Sequence, residues 1–318
     1  MTVCDPALDV FEGHRSILTG VAYRMLGRVA DAEDVVQEAW LRWSRADREE
    51  VRDARGFLVR VTTRLAIDRL RQVQSRRETY VGQWLPEPLA TDFGATVPDT
   101  AERAVLAESV SLGVLVVLES LSPLERAVFV LREAFAFPYQ EIAAVLDRSE
   151  AAVRQLAGRA RRHVDEGRPR FPVDAAEQRA LTEKFLAAAT GGSIEDLLAL
   201  LAPDVRLVGD SGGKSKAPLR VLQSADKVGR FLFAVSRTGV AEPGFRFLEL
   251  NGRPALLVLS AGRPDSVLSI ELSGDGRIAA VYIQRNPDKL AGLAPWPRCH
   301  IAQCTEKPPS TKTDWPVT

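Results

Sequence analysis

The chain of 318 residues is poor in the residues from which disulfide frameworks and metal sites are built. It contains three cysteines and three histidines, and two of the cysteines, Cys299 and Cys304, lie near the C-terminal end. This pattern excludes a disulfide framework and fits a reducing compartment. Cys299 and His300 together with Cys304 provide only half of a zinc site, so the sequence predicts neither a metal nor a cofactor.

Long apolar runs are also missing, because no stretch reaches the roughly 18 residues that a membrane-spanning helix needs. The N-terminal residues lack the pattern of a signal peptide, so we expect a cytoplasmic protein with no membrane partner. Residues 174–292 contain no histidine. The acids on the strands predicted there form no pairing that sequence alone identifies as catalytic, so we expect no enzyme.

A net charge is absent as well, since 42 lysines and arginines balance 42 aspartates and glutamates. The charge is unevenly distributed, however. Residues 55–77 contain seven arginines against Asp68 alone, residues 148–170 contain seven against three carboxylates, and residues 1–54 contain seven against eleven carboxylates. Two basic patches and one acidic patch predict contacts with partners of opposite sign.

Residues 121–164 predict three short helices. The first begins with a capping box, in which Ser122 caps the helix and Glu125 reaches back to it. A second helix is predicted over residues 139–146, a tight turn follows, and Ser149 caps the third helix. The apolar stripe of this third helix consists of Val153, Leu156, Ala157, Ala160 and Val164.

The other faces of the third helix carry arginines and a glutamine. A short helix, a tight turn and a basic helix indicate a helix-turn-helix, whose second helix enters a major groove. In that groove arginine reads guanine and glutamine reads adenine. An ordinary three-helix bundle with a solvated basic face is the alternative.

An acidic stripe marks the helix predicted over residues 31–43, which Asp31 is expected to cap. One face is apolar and should be buried. A second stripe is acidic with one exposed leucine, and it consists of Asp34, Gln37, Glu38 and Leu41. This stripe suits docking on a basic helical partner, and a solvated face explains it equally well.

A long arginine-rich helix is predicted over residues 56–77, with Leu58, Val61 and Leu65 facing inward. Arginines with nearby aromatic residues suit a nucleic acid whose bases are unstacked. Residues 79–100 contain several prolines and glycines and predict a linker without helix. Its apolar segment, residues 84–89, should dock on another part of the protein.

After residue 174 the pattern changes to helices followed by short strands. Helices are predicted over residues 174–190, 194–201 and 225–236, and Asn251-Gly252 is a hairpin signal. We expect a curled antiparallel sheet.

The helical segments resemble bacterial sigma factors of the extracytoplasmic-function group. Residues 31–40 resemble the helix that binds core polymerase, residues 55–71 resemble the helix that handles the −10 element, and residues 121–162 resemble region 4, which reads the −35 element. Asp147 stands where that family has a turn glycine, and aspartate tolerates left-handed backbone.

The resemblance implies the residues that make each contact. Core polymerase would be bound by Asp31, Asp34, Val35, Gln37, Glu38 and Leu41. The −10 element would be bound by Arg60, Arg64, Asp68, Arg69, Arg71 and Arg76. The −35 element would be bound by Tyr139, Gln140, Ser149, Glu150, Ala151, Arg154, Gln155, Arg159 and Arg162.

The C-terminal part resembles the SnoaL-like, NTF2-type cone, which one subgroup of these sigma factors carries as an extension. Three motifs mark that subgroup. Residues 84–88 match the linker motif, residues 286–290 match the C-terminal motif, and residues 210–214 match the Asp-Gly-Gly-Gly-Lys motif except at Ser211.

In that subgroup the extension implies regulation within one polypeptide, in place of a separate anti-sigma factor. We expect the two later motifs to pack on the linker and to set the spacing of the DNA-reading domains. The implied regulatory contacts are Trp84, Leu85, Pro86, Asp210, Gly212, Gly213, Lys214, Asn286, Pro287, Asp288, Lys289 and Leu290.

The predicted architecture is multidomain, with two all-α sigma domains followed by an α+β SnoaL-like cone. The expected order is region 2 (1–80), a linker (81–102), region 4 (103–166), the cone (174–292) and a disordered tail (293–318). The predicted function is that of an alternative sigma factor, whose partners are core RNA polymerase and promoter double-stranded DNA with a melted −10 region. The alternative is a stand-alone DNA-binding regulator with a ligand-sensing cone, and whether the cone holds a small molecule stays open.

Overall fold

The first helical domain consists of three consecutive helices. The computed structural model describes residues 6–47, 49–77, 79–90, 111–167, 175–238 and 240–293. The three helices of the first domain are α1 (Pro6–Leu26), α2 (Val29–Arg45) and α3 (Ala54–Arg77). The indole Nε1 of Trp43 donates to the carbonyl of Ala7 at 2.9 Å, which fixes the end of α2 against the start of α1.

The inward face of α3 differs from the prediction. Leu58 is buried as expected, but Val61 and Leu65 are only partly buried. The buried positions follow a helical repeat that includes polar and small residues, namely Leu58, Val59, Thr62, Thr63, Ala66, Ile67 and Leu70. The prediction counted only large apolar side chains, and it therefore placed the buried face of α3 at Val61 and Leu65, beside the face that is buried in the structure.

The second helical domain begins, in the described residues, with α4 (Leu112–Leu118) and α5 (Pro123–Phe129). A π-helical turn, Val130–Ala134, continues α5. The predicted capping box is confirmed, because Ser122 Oγ accepts from the Glu125 amide and the Glu125 carboxylate accepts from the Ser122 amide. The helix-turn-helix then consists of α6 (Tyr139–Leu146) and α7 (Glu150–Gly167).

The C-terminal domain places helices on one face of a six-stranded sheet. The helices are α8 (Ala175–Gly191), α9 (Ile194–Leu200) and α10 (Ala225–Thr238). The strands are β1 (Leu201–Asp210), β2 (Leu222–Gln223), β3 (Pro243–Leu250), β4 (Arg253–Ser260), β5 (Arg263–Leu272) and β6 (Ile278–Gln284). A short helix, α11 (Pro287–Leu290), and a 3-10 turn, Ala291–Leu293, follow.

The sheet is mixed, which corrects the expectation of an antiparallel sheet. Its strand order is β2-β1-β6-β5-β4-β3, and β1 pairs with β6 in parallel. The hairpin signal at Asn251-Gly252 is confirmed, since both residues have positive φ angles of 51° and 69°. Local hairpin signals cannot reveal the β1–β6 pairing, because it joins the two ends of the domain.

One apolar core spans both helical domains, running from Ala7 in α1 to Val164 in α7. A second core lies between the C-terminal helices and the sheet, around Phe185, Val228 and Val281. The opposite face of the sheet is also covered, because linker residue Leu85 and α4 residue Leu112 pack there. The predicted architecture of two helical domains and an α+β domain is therefore confirmed.

Across the described ranges, every helix is too short or too polar to cross a membrane.

Candidate nucleic-acid interface

The recognition helix α7 buries the predicted stripe completely. Val153 and Ala160 have no exposed surface, and Leu156, Ala157 and Val164 are 8% exposed or less. At about 100° per residue, Ala151, Gln155 and Arg162 lie on the ridge opposite this stripe. All three are exposed. This ridge presents side chains that can hydrogen-bond to base edges.

Two recognition-helix arginines lie on opposite flanks of that ridge and are already ion-paired. Arg154 Nη2 lies 2.6 Å from Glu150 Oε1, one helical turn earlier. Arg159 Nε lies 2.9 Å from Glu125 Oε1 in α5. Both guanidiniums remain at least half exposed, at 60% and 53% of their side-chain surface. Both can therefore exchange their carboxylate for another anion.

The turn before α7 has the geometry that the sequence predicts. Asp147 adopts the left-handed conformation with φ 54°, and its backbone N–H caps α6 by donating to the carbonyl of Ala143. Ser149 Oγ accepts from the amide of Ala152 at 3.2 Å. Gln140 is exposed on α6 beside the partly buried Tyr139. The predicted −35 residues therefore lie on α6 and α7 and on the turn between them.

The acidic stripe predicted on α2 lies at the surface. Asp34, Gln37 and Leu41 are exposed, and Leu41 shows 43% of its surface. Glu38 is partly exposed and pairs with Arg42 at 3.1 Å. A groove of about 220 Å³ runs between α2 and α3, and it is lined by Asp34, Val35, Glu38, Leu65, Asp68, Arg69 and Gln72.

Two other residues of the implied polymerase-binding set, Asp31 and Val35, do not lie on this exposed face. Asp31 does not cap α2, because the helix begins at Val29 and Arg28 occupies the cap position. The Asp31 carboxylate is instead buried and accepts from Arg69 at 2.7 Å. Val35 is 5% exposed and belongs to the core. The helical repeat explains both, since each residue lies on the side of α2 that contacts α1 and α3.

The arginines expected to handle the −10 element differ in the partners that they already have. Arg60 and Arg71 are exposed, and Arg71 pairs with Asp68 at 3.2 Å. Arg69 holds α3 to α2 through Asp31. Arg64 Nε donates to the carbonyl of Val145 at 3.0 Å, which lies in the helix-turn-helix. The side chain of Arg76 lies outside the described residues.

The two helical domains meet across this surface. The guanidinium of Arg55 lies 4.7 Å from the ring centre of Phe137, and that of Arg24 lies 4.9 Å from the ring centre of Phe135. Arg126 in α5 is fully buried, donates to the carbonyl of Met25 at 2.8 Å and pairs with Glu119 at 2.8 Å. Part of the basic face of α3 is therefore covered by the helix-turn-helix.

The linker packs into a polar site between the helical domains and the sheet. We call the contacts among residues 80–90, 210–214 and 286–290 the interlock. Its centre is the fully buried carboxylate of Asp210. That carboxylate accepts from Tyr80 Oη at 2.6 Å, the Leu85 amide at 2.8 Å, Lys289 Nζ at 2.6 Å, Gln284 Nε2 at 3.4 Å and the Gly212 amide at 3.1 Å.

Lys289 supplies the buried positive charge of the interlock. Its ammonium is 2% exposed, lies 2.6 Å from Asp210 and also donates to the carbonyl of Leu85. It lies 4.1 Å from the ring centre of Trp84 and 5.3 Å from that of Tyr80. The carboxylate, the carbonyl and the two aromatic faces together compensate the ammonium for the water that it loses on burial.

The remaining motif residues close the interlock. Asn286 Nδ2 donates to Tyr80 Oη at 2.8 Å, and its own Oδ1 accepts from the Asp288 amide. Lys214 pairs with Asp288 at the exposed rim. Burial and the hydrogen bond to Asp210 raise the pKa of the Tyr80 hydroxyl, so it stays a proton donor. Gly212 and Gly213 have positive φ angles, which glycine adopts readily. Leu290 is buried against the sheet.

The linker also contacts the first helical domain. The Glu87 amide donates to the carbonyl of Gly27 at 2.8 Å, and Tyr23 Oη donates to the carbonyl of Glu87 at 2.8 Å. On the other side, Asn251 Oδ1 accepts from the Leu89 amide at 3.1 Å. The predicted docking of the apolar linker segment is thus observed, because residues 85–90 are all buried.

Sequence reasoning missed several residues that hold these surfaces together. Tyr80, Gln284 and Asn251 contact the linker or Asp210, and Arg126 joins the helical domains. Asn251 was predicted only as part of a hairpin turn, and the other three residues are marked only as polar residues beside a motif or inside an apolar stretch. Neither signal identifies a partner. The half zinc site that the sequence contains, with Cys299 and Cys304, lies outside the described residues.

Comparison with known proteins assigns each helical domain to a family region. Residues 10–77 match the model of Sigma-70 region 2, and residues 112–164 match that of Sigma-70, region 4. The ECF RNA polymerase sigma factor SigJ of Mycobacterium tuberculosis strain H37Rv is 42% identical over 294 residues, covering 89% of this chain and 92% of that protein. The probable ECF RNA polymerase sigma factor SigI of the same species is 34% identical over 301 residues, covering 92% of this chain and 98% of that protein.

A solved structure extends the similarity to the fold. The crystal structure of the Mycobacterium tuberculosis extracytoplasmic function sigma factor SigJ superimposes with a TM-score of 0.71 at 36% identity, covering 90% of this chain and 98% of that chain. The chain belongs to the ECF RNA polymerase sigma factors.

Proposed function

We propose that this chain binds core RNA polymerase and directs it to promoters by reading the −10 and −35 elements. The observation that carries the proposal is the pair of cationic helix faces, on α3 and on α7, in two domains that match regions 2 and 4. The match to region 2 also gives the acidic stripe of α2 a role, which a stand-alone DNA-binding regulator leaves unexplained. The chain itself makes and breaks no covalent bond.

Each surface has a part in this function. The face formed by Asp34, Gln37, Glu38 and Leu41 binds the polymerase, with the apolar Leu41 at its edge. The arginines of α3 bind the DNA around the −10 element, where unstacked bases meet cationic side chains. The ridge of α7 reads base pairs of the −35 element, and the flanking arginines bind phosphates.

The packed arrangement of the two helical domains must open for this function. The two element names imply a separation of about 25 base pairs, or about 85 Å at about 3.4 Å per base pair. A compact body of about 150 residues has a radius of gyration of only about 15 Å. Promoter binding therefore has to break the contacts of Arg64 with Val145 and of Arg126 with Met25.

We further propose that the C-terminal domain is a built-in regulator, taking the place of a separate anti-sigma protein. The interlock supports this proposal, because it fixes the first half of the linker against the sheet. The C-terminal domain also contacts the second helical domain, where Leu112 packs on Tyr282. The position of the linker thus sets how far the two DNA-reading domains can separate.

Run-off transcription with core polymerase tests the function. Reversing Asp34 and Glu38 together, in the variant D34R/E38R, should abolish co-migration with core polymerase and specific initiation, because both side chains lie at the proposed contact. The matched control reverses two exposed carboxylates of the C-terminal domain, E195R/D204R, and should initiate as the unaltered chain does. DNA binding by the unaltered chain without polymerase association would instead support a stand-alone regulator.

A further inference from the structure

One flank of the recognition helix carries two arginines that are each paired with a carboxylate. Arg161 donates from Nε and Nη2 to Glu133 Oε1, at 2.9 and 2.7 Å. Its side chain is 47% exposed, and that of Glu133 is 37% exposed. Arg154, on the same flank at about 20° from Arg161, pairs with Glu150. Both pairs face solvent rather than the core.

Tyr139 is the centre of this group. The guanidiniums of Arg132 and Arg154 lie 4.7 and 4.6 Å from the centre of its ring. Glu133 raises the pKa of Arg161 first of all, and a hydrogen bond with Tyr139 contributes in the same direction. We call Arg132, Tyr139, Arg154 and Arg161 the flank cluster. Two guanidiniums over one aromatic ring, with the guanidinium of Arg161 paired to Glu133 on the same flank, concentrate positive charge that favours anions nearby.

The π-helical turn accounts for the position of Glu133. A π turn contains one residue more per turn than an α-helix, so the residues after it are rotated from where a regular helix would place them. Glu133 lies in this turn, Val130–Ala134, and its carboxylate reaches Arg161, which is 28 positions later in the chain. Arg132, in the same turn, donates to the carbonyl of Phe137 at 3.0 Å.

We infer that the flank cluster is a binding site for DNA backbone phosphate, and that Glu133 occupies the phosphate position in the DNA-free protein. Guanidinium forks bind carboxylate and phosphate oxygens with the same geometry. The site lies beside the start of α6 and next to the ridge that reads bases, where one backbone of a major groove passes. The predicted set of −35 residues did not include Arg132, Glu133 or Arg161.

Glu133 therefore acts as an internal competitor for phosphate. When a duplex arrives, the carboxylate has to leave Arg161, and it then stands near the DNA as a like charge. Both effects weaken binding to DNA of any sequence. The inference rests on the proposed function, since it requires α7 to enter a groove.

The test measures the affinity of the full chain for a labelled duplex without promoter elements, by fluorescence anisotropy at low salt. E133Q should bind about two- to fivefold more tightly, the range that an exposed ion pair supports. The gain should shrink as salt is raised, because exposed charges are screened. Added to R161A, the same substitution should give a smaller gain, because only the like charge near the DNA is then removed and no ion pair is left to break.

A matched control separates the ion pair from net charge. Glu141 is an exposed acid on α6 in the same domain, so E141Q removes the same charge at another position. A gain for E141Q as large as that for E133Q would overturn the inference, and so would unchanged or weaker binding by E133Q. If R154A and R161A both leave DNA binding unchanged, the proposed role of α7 fails instead.

Discussion

The interlock and the flank cluster both contain ion pairs, but they differ in access to water. In the interlock, Lys289 and Asp210 are 2% and 0% exposed. In the flank cluster, Arg161 and Glu133 are 47% and 37% exposed. The first pair is surrounded by further hydrogen-bond partners of the same chain, whereas the second can exchange its partner for one from solution. Distance does not distinguish them, since the two pairs measure 2.6 and 2.7 Å.

This difference separates surfaces that hold the fold from surfaces that bind. A buried pair is costly to disrupt, because the remaining charge has no water. An exposed pair contributes little to stability and leaves its charge available to a ligand. The Lys289–Asp210 pair is buried where the linker meets the sheet, and the Arg161–Glu133 pair is exposed where DNA is proposed to bind.

The largest effect that would test this comparison is expected at the buried pair. K289M leaves the Asp210 carboxylate buried without its cation, and we expect it to lower the free energy of unfolding by about 3–5 kcal/mol. Urea denaturation of the full chain measures this loss. Adding D210N to K289M should recover part of the stability, because the uncompensated charge is removed.

The control is the exposed pair at the rim of the interlock. The side chains of Lys214 and Asp288 are both 52% exposed. K214M, which removes the partner of Asp288, should therefore lower the free energy of unfolding by at most about 1 kcal/mol. If K289M were as mild as K214M, access to water would not be what distinguishes the two kinds of pair.

The sequence predicted the elements well where local chemistry decides them. The capping box at Ser122, the left-handed turn at Asp147 and the stripe of α7 were all found as predicted. Each depends on residues only a few positions apart. The motif segments around Asp210 and Lys289 were expected to meet the linker, but that expectation came from the family resemblance rather than from spacing.

What the sequence could not predict involves partners far apart in the chain. Asp31 was expected to cap a helix, and it binds Arg69 instead, 38 positions later. The parallel pairing of β1 with β6 and the contact of Arg64 with Val145 join residues that lie even farther apart in the chain. Side-chain pattern gives the face of an element, and only packing gives the element that covers it.

A smaller effect is expected at the backbone of the same buried junction. Gly27 has φ +70°, and an added Cβ would lie 2.6 Å from Cη2 of Trp84, whose ring packs on Lys289. G27A should therefore destabilise the chain by about 1–3 kcal/mol. G13A is the matched control, because a Cβ at that position of α1 meets nothing within 4 Å. It should stabilise the chain by about 0.5–1 kcal/mol.

The smallest effect concerns a pair between the two extremes, Arg159 and Glu125, which are 53% and 11% exposed. Partial burial alone would raise the pKa of Glu125, but hydrogen bonds from Ser122 and the charge of Arg159 outweigh it and lower the pKa. The ionised form therefore stabilises the fold above the ordinary pKa of a glutamate, and this stability is lost as pH falls through the lowered value.

E125Q isolates that contribution, since glutamine preserves the capping box but does not titrate. The unaltered chain should exceed E125Q in stability by at most about 1 kcal/mol at pH 7, and the difference should vanish below the lowered pKa. Urea denaturation between pH 3 and about pH 7 measures it. A difference that stays constant over this range would show that ionisation of Glu125 does not contribute to stability, so that burial of one partner alone does not make this pair resemble the buried pair of the interlock.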